Sequence, residues 1–156
     1  MTKQHNKILN KRQPVGLVDA DLLCKGTRHP NLVLLKLAGY FRDNGIPYEL
    51  IIDEDADLER YQRVYLSRVF VFTTLPKFVS EYQAKHPKTW EKKLQMGGTG
   101  FYAVEEDREK FDEERRKDML KLSIDPYLPD FSMAHQMPDY TIYNDYIDRE
   151  LSLIHI

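Results

Sequence analysis

Two carboxylates placed two residues apart are the first groups in this chain that could do chemistry. Asp19 and Asp21 belong to the apolar run VGLVDADLL, residues 15–23. Side chains two apart on a strand share one face, and paired carboxylates can divide acid and base work because their pKa values split. Acids at such positions also cap helices or bind loop backbone, and that structural role is the simpler interpretation.

Thiol, imidazole and cationic side chains are further candidates. Cys24 and His29 have the residue types of a nucleophile and its general base. Their nearness in sequence does not establish the required geometry, so a structural role is favoured. Arg68 and Lys36 could meet an anion, although exposed surface is their default role. No metal-ligand spacing links the five histidines of the chain, which are His5, His29, His86, His135 and His155.

The segment QMGGTGFY, residues 95–102, contains three of the seven glycines. It has neither the pattern GxGxxG nor a following GK[ST], so no phosphate-binding loop is predicted. A plain turn would explain the glycines. The alternative is a loop that a flat ligand or a neighbouring domain approaches closely. Gly97, Gly98 and Gly100 would leave the backbone bare, and Thr99 would add one hydroxyl.

Alternating strands and helices must position these groups. The third predicted strand, VYLSRVFVF, is rich in β-branched and aromatic residues and is expected to be buried on both faces. Strands are predicted over 15–23, 48–52, 64–72 and 93–96, and helices over 31–44 and 76–85. This order predicts an α/β fold of Rossmann or flavodoxin type, with a parallel sheet and helices on both faces.

In such sheets, ligands bind beyond the carboxyl ends of the strands. Residues 19–31, 72–76 and 97–101 are expected to converge there. We call this region the carboxyl edge. It is the predicted place for a cofactor or a domain junction, and its predicted lining is Asp19, Asp21, His29, Asn31, Thr73, Gly97, Gly98, Thr99 and Gly100.

The remainder of the chain has a different character. Residues 104–121 are rich in charges of both signs, which predicts a solvated surface helix. Residues 122–150 form a proline-rich and aromatic tail, in which a short helix is predicted over 139–150. Its tyrosines could stack on a base or a cofactor, but packing in the core or between domains is favoured.

Composition limits the classes of function. The chain has 156 residues, which suits one domain, and no apolar run long enough for a transmembrane helix. Its formal net charge of −2 gives no clear nucleic-acid surface. Cys24 is the single cysteine, which excludes internal disulfides and a thiolate cluster built by this chain alone, and fits a reducing cytoplasm.

Five segments occur in an order that is specific when taken together. They are VGLVDADLL, RHPNLVLLKLAGYFRDNG, RVYLSRVFVFT, GGTGF and MPDYTIY. In this order they resemble the N-terminal region of a group of bacterial and phage radical S-adenosylmethionine proteins. In those proteins a domain like the cobalamin-binding domain precedes the radical barrel. The resemblance covers residues 13–75, 93–102 and 124–147.

The resemblance implies a domain organisation. Residues 1–12 would be a flexible N-terminus, 13–103 a Rossmann-like domain, 104–121 a charged helical insertion, and 122–150 a tail leading toward a barrel. That barrel would use S-adenosylmethionine and hold a [4Fe–4S] cluster on a CxxxCxxC motif. This sequence has no such motif, and it lacks the DxHxxG motif that supplies a histidine ligand to cobalamin. A cobalamin held in that way is therefore not expected.

The last six residues, LSLIHI, match the translation of a transposase adapter used in sequencing libraries. Residues 151–156 are therefore expected to be a scar and the chain a fragment, with a natural apolar end as the alternative. The expected function is an accessory domain that positions a substrate or the barrel, without catalysing the radical step itself. The alternative is a stand-alone flavodoxin-like module that binds a small ligand or a protein. A third alternative, a nucleotide-dependent enzyme, is less favoured because this sequence contains no phosphate-binding motif.

Overall fold

A four-stranded parallel sheet organises the chain. The computed structural model describes residues 7–25, 30–102 and 108–144. The strands are β1 (Val15–Asp19), β2 (Tyr48–Leu50), β3 (Arg63–Ser67) and β4 (Leu94–Gly97), in the spatial order β2-β1-β3-β4. This strand order is of the flavodoxin type, so the predicted α/β class is confirmed.

The register aligns the ends of three strands. Asp19 of β1 pairs with Ser67 of β3, and Ser67 pairs in turn with Gly97 of β4. The chain leaves β1 for β2 on one side and then returns to β3 on the other side, which makes a topological switch point between β1 and β3. Ligands of open α/β sheets bind at this kind of position.

Among the described residues, four helices lie between the strands and a fifth follows the last strand. They are α1 (Ala20–Lys25), α2 (Leu32–Asp43), α3 (Lys77–Lys85), α4 (Trp90–Lys93) and α5 (Arg108–Ser123), with 3₁₀ turns at Leu58–Arg60, Thr99–Phe101 and Tyr140–Tyr143. None of the helices in the described part of the chain has both the length and the apolarity needed to cross a membrane.

Helix α2 forms where the sequence predicts it because its two ends are capped. The side-chain oxygen of Asn31 accepts a hydrogen bond from the backbone N–H of Leu34 at 3.1 Å. At the other end, the N–H of Asn44 donates to the carbonyl of Tyr40. Between these caps one face of the helix is apolar and buried, with Leu34, Leu37, Ala38 and Phe41 in the core.

Two apolar cores lie on opposite faces of the sheet. The core under α2 includes Val15, Leu17, Leu34, Leu37, Phe41, Tyr65, Leu128 and Phe131. The core under α3 includes Val18, Leu58, Val64, Leu66, Phe78, Val79 and Leu94. Both faces of the sheet are therefore covered, as a parallel sheet requires.

The first predicted strand, 15–23, is wrong beyond Asp19. The strand ends there, and α1 begins at Ala20. The Asp19 carboxylate accepts a hydrogen bond from the N–H of Leu22 at 3.1 Å, which favours a helical turn at this point. Asp21 therefore lies in a helix, and the two carboxylates do not share the face of one strand.

The third predicted strand, 64–72, is also wrong in its second half. It ends at Ser67, and Val69–Phe72 are exposed rather than buried on both faces. The reason is that the Asp21 carboxylate accepts the backbone N–H groups of Val69 and Phe70, at 2.8 and 3.2 Å. Those donors are consequently not available to continue the sheet.

The charged segment forms α5 from Arg108, and no residue of this helix is buried. Residues 108–121 of the charged segment therefore form a surface helix, as predicted. Residues 103–107 lie outside the described residues. Lys117 contacts both Glu113 and Glu114 at exposed positions of this helix. Such pairs contribute little to stability.

The tail crosses α2 and packs on the same core. Leu128 is fully buried, and Phe131 is nearly so. The N–H of Asp139 donates to the carbonyl of Leu35 at 2.9 Å, and the Tyr40 hydroxyl donates to the carbonyl of Pro129 at 2.6 Å. Residues 124–143 thus belong to the body formed by the sheet and α2.

The tail can cross closely because of Gly39. A Cβ atom at Gly39 would overlap the carbonyl oxygen of Met137, at a separation that real Cβ atoms do not show. We therefore expect Gly39→Ala to lower the free energy of unfolding by about 1–3 kcal/mol through overpacking. Helix propensity alone predicts the opposite effect, because alanine in place of glycine inside a helix raises the free energy of unfolding by about 1 kcal/mol.

Urea unfolding of Gly39→Ala shows directly whether the substitution lowers or raises the free energy of unfolding. Hydrogen exchange at the Asp139 amide should also become faster because the tail is displaced. Arg42→Ala, at an exposed position of the same helix, is the control and should change stability by no more than about 0.5 kcal/mol. A stabilised Gly39→Ala variant would show that the tail does not hold this position.

Candidate functional site

The carboxyl edge contains eight of its nine predicted residues within the described part of the chain, while His29 lies outside the described residues. The structure divides those eight into separate hydrogen-bonded groups rather than one shared site. One group surrounds Asp19, and another surrounds Asp21 and the glycine loop. We describe them in turn.

Asp19, Asn31, Ser67 and Tyr143 form a buried chain of hydrogen bonds. The Tyr143 hydroxyl donates to the Asp19 carboxylate at 2.7 Å and accepts the N–H of Asn31 at 2.9 Å. The Asn31 side-chain amide donates to the hydroxyl of Ser67 at 2.7 Å. All four residues are buried, so the chain joins the ends of β1 and β3, the start of α2 and the tail.

Burial controls the protonation of this group. Burial raises the pKa of the Asp19 carboxyl above its ordinary value of 3.8, although the hydrogen bonds from Tyr143 and Leu22 act in the opposite direction. The pKa of the Tyr143 hydroxyl is raised as well, by burial and then by the neighbouring Asp19 charge. The neutral phenol therefore remains the donor at neutral pH.

This shift predicts a pH dependence of stability. A carboxyl whose pKa is higher in the folded state binds more protons there, so the contribution of Asp19 falls as pH rises from 3.8 through the raised folded pKa. Urea unfolding of the wild type and of Asp19→Asn between acid and neutral pH isolates this contribution. The stability of the wild type relative to the variant should decline with rising pH. A flat or rising difference would contradict the raised pKa.

Asp21 organises the loop that follows β3. Its carboxylate accepts three hydrogen bonds, from the N–H groups of Val69 and Phe70 and from the hydroxyl of Thr73 at 2.6 Å. Because both Asp19 and Asp21 are bonded within the protein, the geometry gives each of them a structural part. They do not share a proton or a hydrogen-bonding partner in the described structure.

The glycine loop is a place of close approach, and what approaches it is the chain itself. Gly98 has φ +115°, and a Cβ atom there would overlap the carbonyl oxygen of Arg68. At Gly100 a Cβ would lie 2.8 Å from the same oxygen. A Cβ at Gly97 would lie 2.9 Å from the Asp118 carboxylate of α5, which also accepts the N–H of Gly98.

Arg68 ties the loop after β3 to the glycine loop. Its guanidinium donates to the carbonyls of Thr73 and Gly100, at 3.1 and 2.9 Å, and lies over the Phe101 ring. The Thr99 hydroxyl adds a bond to the carbonyl of Val69 at 2.7 Å. The anion-binding hypothesis for Arg68 is therefore not supported by its position, and the ammonium of Lys36 likewise donates to the carbonyl of Met133.

Residues 69–72, which we call the aromatic loop, are displayed at this edge. Val69, Phe70, Val71 and Phe72 are 42%, 47%, 56% and 61% exposed. The rings of Phe70 and Phe72 stack with their centroids 5.2 Å apart. Four consecutive apolar side chains on a backbone held by Asp21 make an exposed patch of the kind that marks an interaction site.

Sequence reasoning missed Ser67 and the hydroxyl of Tyr143 as members of this edge. The local sequence gives no signal for either, because their partners lie 36 and 124 residues away. Cys24, for which a structural role is predicted in preference to a nucleophile–base pair with His29, lies 3.4 Å from the hydroxyl of Thr74. His29 lies outside the described residues.

The iron–sulfur cluster implied by the resemblance does not fit the residues of this chain. Three thiolates are needed and Cys24 is the single cysteine. Within residues 7–25, 30–102 and 108–144, no three histidine, cysteine or acidic side chains are grouped so that they could hold a metal ion. At the ends of β1 and β3, the Tyr143 hydroxyl donates to Asp19 and accepts the N–H of Asn31, so these groups are already bonded within the chain.

Comparison with protein-family models, with curated proteins and with solved structures finds no match to this chain. The class of protein is therefore defined by the fold and by its edge. It is an α/β domain with flavodoxin-type strand order, whose carboxyl edge is closed by its own tail and carries an exposed aromatic loop.

Proposed function

We propose that this chain is the accessory domain of a radical S-adenosylmethionine enzyme and that it docks the catalytic barrel through the aromatic loop. The observation that carries this proposal is the exposure of Val69–Phe72 at the carboxyl edge. The ordered resemblance of five segments supplies the identity of the partner. The cluster and S-adenosylmethionine would be held by the barrel, and the protein would work in the reducing cytoplasm.

The rigidity of the aromatic loop supports a docking function. Asp21 holds two of its N–H groups, and the Thr99 hydroxyl holds the carbonyl of Val69. A loop that is ordered before it binds loses less conformational entropy on association. Phenylalanine, which supplies both rings of this loop, is among the aromatic residues enriched at protein interfaces.

The chemistry of the edge supports positioning rather than catalysis. The carboxylates of Asp19 and Asp21 accept internal hydrogen bonds, and Asn31 both caps α2 and bonds Ser67. A general base needs a lone pair directed at a substrate. In this domain the carboxylates of Asp19 and Asp21 and the side chain of Asn31 are directed at other parts of the domain.

The first experiment is to sequence the source DNA beyond the codon for Glu150 and to express the complete open frame. A frame that encodes CxxxCxxC and a purified protein that is brown from its cluster are the expected results. A frame that ends at Ile156 would overturn the proposal. The chain would then be a stand-alone flavodoxin-like module for a small ligand or a protein partner.

The second experiment tests the docking surface in that full-length protein. Phe70→Ser combined with Phe72→Ser should expose the segment between domain and barrel to limited proteolysis while the brown colour is retained. The control is Met137→Ser combined with Tyr140→Ser, which removes two large side chains that are 69% and 65% exposed outside the aromatic loop. Equal cleavage of both double variants and the wild type would exclude the aromatic loop as the junction.

A further inference from the structure

A small cavity lies at the carboxyl ends of β3 and β4, beneath α5. Its volume is about 180 Å³, and its walls come from α2, both strands, α5 and the tail. Leu37 and Leu122 line it on two sides, and the side chains of Met96, Met119 and Met133 line it from three different segments. The cavity is separate from the aromatic loop and belongs to no part of the proposed docking surface.

We propose that this cavity binds a small molecule with a single apolar aromatic ring. An apolar cavity of about 150 Å³ in another protein stays dry and accepts benzene, so a cavity of this size suits one ring with a small substituent. It lies at the carboxyl ends of β3 and β4, one strand away from the switch point between β1 and β3 at which open α/β sheets bind ligands. This inference does not depend on the proposed accessory function.

The polar groups in the walls favour an apolar ligand because they are already bonded to the protein. The Ser67 hydroxyl accepts the amide of Asn31, and the Asp118 carboxylate accepts the N–H of Gly98. The Lys121 ammonium donates to the carbonyl of Met96 and lies 3.7 Å from Asp118. A ligand that carried its own polar group would therefore compete with these bonds, whereas an apolar ring would leave them intact.

The walls can adjust to a ring. Methionine side chains are flexible and polarizable, and they make favourable contacts with aromatic rings. Helix α5 forms one wall without burying any residue of its own, and Met119 is largely exposed. Entry of a ligand would thus require displacement of a lightly packed helix rather than opening of the main core.

The test uses toluene and protein labelled with ¹³C at the methionine methyl groups. Saturable shifts at Met96, Met119 and Met133, with no change at Met137, are the expected result. Met137 is exposed outside the cavity and serves as an internal control. Absence of saturable shifts, or shifts that include Met137 equally, would overturn the proposal without the use of any variant.

Two substitutions at neighbouring residues of α2 test whether toluene binds inside the cavity. Val33→Phe fills part of the cavity and should abolish the toluene shifts, whereas Leu32→Phe introduces the same ring at an exposed position of α2 and should preserve them. Circular dichroism confirms that both variants are folded. Retained binding in Val33→Phe, or equal loss in both variants, would place the ligand elsewhere.

Discussion

Gly98→Ala is expected to lower the free energy of unfolding by about 3 kcal/mol or more. Two costs combine at this position. The φ of +115° is one that residues with side chains rarely adopt, and such strain costs about 1–3 kcal/mol. The new Cβ atom would also overlap the carbonyl oxygen of Arg68, and overpacking against fixed atoms adds about 1–3 kcal/mol.

Gly45→Ala separates these two costs. Gly45 has φ +68°, but a Cβ atom there would meet only the flexible end of Lys11 at 3.8 Å. It should therefore show backbone strain without a clash. Urea unfolding of both variants gives the comparison, and Gly98→Ala should be clearly the less stable. Equal losses would mean that the glycine loop can move away from Arg68.

Asp125→Ala is the second substitution with a large expected effect. It should lower the free energy of unfolding by about 3–5 kcal/mol. The Asp125 carboxylate lies 3.0 Å from the guanidinium of Arg63, and both side chains are almost completely buried. Removal of one partner leaves an uncompensated charge in the interior, which is strongly destabilising. The Tyr65 hydroxyl, which donates to the same carboxylate at 2.9 Å, loses its acceptor as well.

A double variant distinguishes loss of a partner from loss of packing. Arg63→Met with Asp125→Leu removes both charges and keeps apolar bulk, so it should recover much of the stability lost by Asp125→Ala. Asp43→Ala, which breaks the exposed pair with Arg42, is the surface control and should cost at most about 1 kcal/mol. The midpoint of chemical unfolding ranks the three variants. If Asp125→Ala cost no more than Asp43→Ala, the pair would not be buried in solution.

The order of elements was predictable from local sequence, whereas the points at which strands end were not. Helix α2 carries its own signals, from the cap at Asn31 to Gly45. The run RVFVF has the composition of a strand, yet it leaves the sheet after Ser67 because a carboxylate 48 residues earlier takes its N–H groups. Local propensity does not contain that partner.

The location of the site at the carboxyl edge was predictable from the sequence, whereas most of the contacts between its residues were not. Asp21 and Thr73 were both expected at the carboxyl edge, and they form a hydrogen bond with each other. The role of Tyr143 was not predictable because it depends on the path of the tail over α2. The glycines were interpreted as a surface for a ligand or a second domain, but the atoms that they accommodate belong to Arg68 and Asp118.

The bond between Tyr143 and Asp19 has a consequence for biosynthesis. Asp19 and Tyr143 are separated by 124 residues. A ribosome that adds about 5–20 residues per second therefore incorporates Tyr143 roughly 6–25 seconds after Asp19. All four strands are synthesised before the tail, but the polar ends of β1 and β3 remain open until Tyr143 arrives. The nascent sheet therefore lacks its Tyr143 contact at this edge until residue 143 has been synthesised.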